Sequence, residues 1–168
     1  THTGTIDHIT VYLWSKRLGI KMPRYIPYRG GRELATRLVA GEVDVGTLNL
    51  SEAAAPVEAG DICPLVILAE NRIYPIPKAK TAKELGIDLV LSTFRGFVTL
   101  KGTNKRRIAE LEKGISKAMR HSMYQAYLAN SGLDNTSPQP SGPWGKQIAS
   151  MVDEFETALV GLGLYRPN

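Results

Sequence analysis

Up to about residue 100 this 168-residue chain alternates short apolar runs with amphipathic ones, and beyond that point only amphipathic runs remain. This change of texture constrains the fold most. The first part reads as a small α/β unit of parallel type. Ile6, Ile9 and Leu13 recur at helical spacing over residues 6–18, with Gly19 as the stop. Leu34, Leu38 and Val39 mark a second helix from about Gly31, ended by Gly41. Ser51 is the expected N-cap of a third helix that stops at Gly60. Strands are expected at 24–28, 43–48, 64–69, 89–91 and 96–100, and Thr81 with Glu84 forms a capping-box pattern that opens one short turn. After Gly102, Thr103 is expected to cap a helix carrying Ile108, Leu111, Ile115 and Met119. A second stretch runs through Tyr124, Tyr127 and Leu128 to Gly132, 134–143 read as a loop, and a last helix covers 144–162. Those helices have apolar faces and no strands of their own to cover. They are expected to pack on a sheet supplied from outside this sequence.

Bulk properties narrow the function classes. A hydrophobic content of 43% and a charged content of 22% belong to a globular protein, and no apolar run approaches the roughly 20 residues of a membrane-spanning helix. The formal net charge of +5 favours an anionic partner. Most cations are spread singly among acids. The cluster Lys105, Arg106, Arg107 falls in the first turn of an expected helix, where positive charge opposes the macrodipole, and reads as a solvated face. Nucleic acid is therefore not expected as a partner. The single cysteine, Cys63, excludes an internal disulfide framework; with Pro64 and an apolar run behind it, it reads as a buried strand-edge residue. Three histidines and one cysteine in no nucleophile or zinc-ligand pattern give no basis for an enzyme, a cofactor or a metal site.

Two segments carry the functional signal: Thr3-Gly4-Thr5-Ile6-Asp7-His8 and Pro27-Tyr28-Arg29-Gly30-Gly31. Each places small residues just before an amphipathic run, so each reads as a loop opening into a helix N-terminus. Such ends present unpaired N–H groups and a partial positive charge, which suit a carboxylate or phosphate.

These segments resemble the extracytoplasmic solute receptors of the tripartite tricarboxylate transporter family, the Bug receptors. Further matching segments are Gly41-Glu42-Val43-Asp44-Val45-Gly46, Pro56-Val57-Glu58-Ala59-Gly60, Thr81-Ala82-Lys83-Glu84-Leu85-Gly86 and Phe94-Arg95-Gly96-Phe97. Their order and spacing extend over nearly the whole chain. The resemblance implies an α/β fold of the type II periplasmic-binding-protein kind, two lobes with the ligand between them. Residues 1–93 would be one nearly complete lobe. Residues 94–168 would be the crossover strand and the returning helices of the other, whose N-terminal part is absent. It also implies a periplasmic location, membrane permease subunits as partners, and capture of a small organic anion of the di- or tricarboxylate class without catalysis. The chain opens on Thr1 without a Met, as expected of a processed or truncated product. One departure is at Asn104, where the family commonly has Pro just after Gly-Thr.

Open α/β sheets bind ligands beyond the carboxyl ends of their strands. Thr3, Gly4 and Thr5 sit at one such end, with Thr5 otherwise a simple cap. Gly30 and Gly31 allow close backbone approach at the next, or merely make a tight turn. Arg29 suits a bidentate carboxylate pair or is a surface cation. Asn49 and Ser51 follow the strand ending at Leu48, and Thr93, Phe94 and Arg95 lie at the crossover, as ligand contacts or hinge. His8 reads as a structural hydrogen-bonding residue, and Tyr124, Tyr127, Trp144 and Phe155 as packing residues. A ligand-sensing domain that signals to a sensor kinase or regulator is the alternative reading of the same fold.

Overall fold

The computed structural model describes residues 2–131, 133 and 137–166. The chain divides into two compact units, one of residues 2–93 with 154–166 and one of residues 94–153. Residues 154–166, expected to belong with 94–153, group with the first unit instead. Part of the expected 134–143 loop, and Gly132, lie outside the described residues.

In the first unit, α1 (Ile6–Leu18) ends where periodicity and glycine place it. Gly19 turns left-handed at φ 65°, and the Ile20 N–H donates to the Ser15 carbonyl at 3.0 Å. The inward face of α1 carries Ile9 and Leu13, and its buried hydroxyls are satisfied within the helix. Thr10 donates to the Ile6 carbonyl at 2.7 Å and Ser15 to that of Val11 at 2.8 Å. Next come α2 (Gly31–Val39) and α3 (Leu50–Glu58), which pack on each other. The N-cap of α3 is Asn49, reciprocated by Glu52 in a capping box, so Ser51 lies inside the helix and exposed rather than at its cap.

Strand pairing is sparser than expected. Among the described residues one sheet forms, of parallel β1 (Val66–Ile67) and β2 (Lys80–Thr81), with Val66 opposite Lys80 and Ile67 opposite Thr81. The segment 89–91 is fastened beside it by the Leu91 N–H, which donates to the Leu68 carbonyl at 2.8 Å, without forming a ladder. Segments 24–28 and 43–48 are likewise not strands. An isolated extended segment gains nothing from its backbone groups without a neighbouring edge, and Pro27 has no N–H to give. Thr81 and Glu84 form the anticipated box, N–H to carboxylate at 2.8 Å and N–H to hydroxyl at 3.2 Å, before a 3-10 turn at Lys83–Leu85. The core joins Ile9 and Leu13 of α1 to Ala82, Leu89, Leu91 and Ala158. Each buried Leu or Ile there contributes about 1.5–3 kcal/mol. Cys63, expected to be buried, is exposed.

The second unit is helical. α4 (Lys105–Met119) is capped by Asn104, whose side chain accepts from the Arg106 N–H at 2.9 Å, rather than by Thr103, whose hydroxyl donates back to Leu100 at 2.8 Å. α5 (Ser122–Asn130) follows, and α6 (Ser141–Gly161) starts three residues ahead of Trp144; its residues 154–161 belong to the first unit. The Ser141 N–H donates to Glu112 of α4 at 2.8 Å and holds that carboxyl below its usual range. α4 has no buried residue and α5 only Leu128. Segment 96–100 is not a strand, and its Phe97, Val98 and Leu100 are 72%, 82% and 87% exposed. Lys105, Arg106 and Arg107 are exposed as anticipated, Arg106 pairing with Glu110 at 3.1 Å.

Candidate functional site

Three helix N-termini lie in the first unit, and each satisfies its loop differently. At α1, Thr5 is the extended N-cap, and the first N–H that bonds within the helix is that of Ile9, to Thr5 at 3.0 Å. The amides of residues 6–8 have no acceptor inside the helix. The Thr5 hydroxyl donates to the His2 carbonyl at 2.6 Å, and Thr3 is exposed. The Gly4 N–H is committed to Nδ1 of His8 at 3.1 Å, so this amide faces inward to the protein. His8 is buried and stacked on Tyr25 with ring centroids 4.2 Å apart. Burial holds its imidazole below the ordinary histidine value. The stack places segment 24–28 alongside the first turns of α1, and α2 begins six residues after Tyr25.

At α2, the Arg29 N–H donates to Glu33 at 3.1 Å while Arg29 itself is exposed. Gly30 is the N-cap and Gly31 is buried. The Glu52 carboxylate lies directly over Gly31, where a Cβ would collide with it. The same carboxylate accepts from the Asn49 N–H at 2.9 Å and from its side-chain amide at 3.0 Å, which closes the start of α3. The structure therefore brings Gly31 together with Asn49 through Glu52, whereas Arg29 is held by Glu33. A carboxylate does sit at the helix ends the sequence marks for one, and it is the protein's own. Two carboxylates, of Glu33 and Glu52, already offset the positive end of α2.

Thr93 closes the first unit and is half-buried; Phe94 and Arg95 open the second. Among the described residues no group of three or more His, Cys, Asp or Glu is placed to hold a metal. The residue that sequence reasoning misses is Glu52. Its signal is present, since Asn49 and Glu52 stand three apart at a helix start, but the adjacent Ser51 competes for the role of cap.

Residues 1–154 match the family model described as tripartite tricarboxylate transporter family receptor. A UPF0065 protein of Cupriavidus necator is 30% identical over 130 residues, 77% of this chain and 39% of its own length. A UPF0065 protein of Bordetella pertussis is 27% identical over 136 residues, 80% and 42% respectively. Protein BugT of the same organism is 27% identical over 117 residues, 69% of this chain and 36% of its own. Two solved structures share the fold. R. palustris Rpa4515 with adipate has a TM-score of 0.78 at 18% identity, covering 95% of this chain and 53% of that one. A TctC solute binding protein from Polaromonas, without ligand, has 0.71 at 23%, covering 93% and 52%. This chain thus spans about half the length of those solved chains and somewhat less of the curated relatives. The fold is that of part of a periplasmic-binding-protein-like solute receptor, and the chain belongs to the tripartite tricarboxylate transporter receptor family.

Proposed function

We propose that this chain is part of an extracytoplasmic receptor that captures a small organic carboxylate and passes it to the membrane permease subunits of a tripartite transporter, with no covalent chemistry. The observation that carries this reading is the family match over residues 1–154. The R. palustris relative was solved with adipate, a dicarboxylate, and we extend the di- or tricarboxylate class to this chain. The ligand contacts in this reading are Thr3, Thr5 and the first-turn amides of α1, Arg29 and Gly30 at α2, Asn49 and Ser51 at α3, and Thr93, Phe94 and Arg95 at the boundary between units. Gly4 and Gly31 serve through their backbone shape. The bare apolar surface of 94–153 packs, in the same reading, against the first lobe of a full-length receptor.

Magnitudes set the expectation for the chain by itself. Micromolar affinity needs about 8 kcal/mol, whereas a charge at a helix end contributes about 0.3–2 kcal/mol. Closure of a second lobe and exclusion of water supply the difference. The test is a thermal-shift and calorimetric screen with succinate, adipate and citrate, amino acids and aromatic acids as comparators. It is run on this chain and on a longer polypeptide that carries it within a full-length receptor. A shift of several degrees in the longer polypeptide with a di- or tricarboxylate supports the reading. A folded longer polypeptide that responds to none of them sinks it, and submillimolar binding by this chain alone sinks the two-lobe requirement.

A further inference from the structure

The connection between β1 and β2, residues 68–79, contains no helix. Parallel strands are usually joined through one, whose internal bonds order the crossover. Here the backbone makes two successive turns, the Ile76 N–H donating to the Ile73 carbonyl at 3.0 Å and the Ala79 N–H to that of Ile76 at 3.1 Å. Side chains do the fastening. Glu70 accepts from Lys83 at 2.6 Å. Arg72 reaches Glu84 through Nε, 2.9 Å from both carboxylate oxygens, and through Nη2 at 2.7 Å. The remaining arm of that guanidinium, Nη1, donates across the loop to the Pro77 carbonyl at 3.1 Å. Both pairs land on the 3-10 turn Lys83–Leu85, which offers a cation and an anion side by side just after β2.

We propose that residues 70–79 form a charge-latched strap, closed by the Glu70–Lys83 and Arg72–Glu84 pairs, which opens while β1 and β2 stay paired. The four latch side chains are 40–62% exposed, so dissolved salt screens them. What lies beneath is held differently: Ile67 and Thr81 are buried and matched in register, and the Ala82 N–H donates to the Ile67 carbonyl at 2.9 Å. Arg72 is the central member, because one planar fork serves the Glu84 carboxylate and the Pro77 carbonyl together. Opening bares Ile73 and Ile76, half-buried when the strap is shut, and the buried Ala79; Tyr74 at the tip is already 91% exposed. Such a segment opens locally at less expense than the core around it.

Amide exchange by NMR on this chain tests the latch. The strap is read at Ile76 and Ala79, and the structure beneath it at Ala82 and at Leu91, which is bonded to Leu68. Wild type is compared with Arg72→Met, Arg72→Lys and the double variant Arg72→Met with Lys83→Met. Each is measured at about 0.01 M and about 1 M sodium chloride, between which the screening length falls from about 30 Å to about 3 Å. In Arg72→Met at low salt, Ile76 and Ala79 should exchange faster by about threefold or more, as loss of a networked surface pair implies. Arg72→Lys should fall between that variant and wild type, with Ala82 and Leu91 unchanged in both. High salt should speed the same two amides in wild type and leave them unmoved in the double variant. Unchanged Ile76 and Ala79 exchange in Arg72→Met overturns the proposal. So does acceleration of all four amides together, which means that the strap opens only with the rest of the unit. A salt response in the double variant as large as that of wild type overturns it as well, since the pairs are then not the latch.

Discussion

The carboxylate of Glu52 stands where any side chain on residue 31 would have to stand. One acidic group thereby serves two helices, closing the start of α3 through Asn49 and covering the backbone at the start of α2. A Cβ on residue 31 would displace the Glu52 carboxylate, and the backbone there is not left-handed.

The first prediction follows from that contact. Gly31→Ala forces Glu52 off its bonds to Asn49 and costs about 1–2 kcal/mol, the range of a lost helix cap. In a Glu52→Ala background those carboxylate atoms are gone and the penalty shrinks. A double-mutant cycle by urea denaturation should give a coupling of about 0.5–3 kcal/mol. An identical Gly31→Ala penalty in both backgrounds would show that the two residues do not meet.

Stability should depend on pH through His8. Burial holds its folded-state value below the ordinary 6.5, so as pH falls the unfolded chain takes up the proton first. The contribution is fully present above pH 6.5 and is lost as pH falls from there through the lower folded value. His8→Asn cannot titrate, so the difference between the wild-type and variant unfolding curves should decline over that window. A flat difference would contradict the burial.

Glu84 should titrate far into the acid range. The Arg72 guanidinium at 2.7 Å and the Thr81 N–H hold its carboxyl at about 2, against an ordinary 4.5. Its stabilising contribution is present above pH 4.5 and is lost between 4.5 and about 2. Carbon-detected NMR titration reads the value directly. Arg72→Ala should raise it toward the ordinary range, because the bond to Arg72 is the largest cause, while the bonds from Thr81 go on holding it down.

In the second unit, a Cβ on Gly96 would collide with the indole ring of Trp144. Gly96→Ala should swing that half-buried ring toward water at a cost of about 1 kcal/mol, the low end for overpacking because the site is at the surface. The chain has two tryptophans, so the measurement is made in a Trp14→Phe background, where emission should shift to the red. Unchanged emission would place the indole elsewhere.

The parts of this protein legible in its sequence are those settled within about four residues along the chain. The span of α1 and its glycine stop, the Thr81–Glu84 box and the polar character of the helix starts all depend on hydrogen bonds that close locally. The order of short motifs points to the family for the same reason, since each is a local turn or cap. Even locally, a choice between adjacent candidates is open: Asn49 rather than Ser51, and Asn104 rather than Thr103, cap their helices. Tertiary structure decided the rest. A strand exists only where a second segment supplies its partner, so 64–69 reduces to Val66–Ile67 and 96–100 forms none. Whether residues after 153 belong with their neighbours in sequence or with α1 depends on which apolar face is there to cover Ala158 and Phe155. The placement of Glu52 over Gly31 needed α2 and α3 packed together first, a contact between residues 21 apart that neither segment specifies by itself.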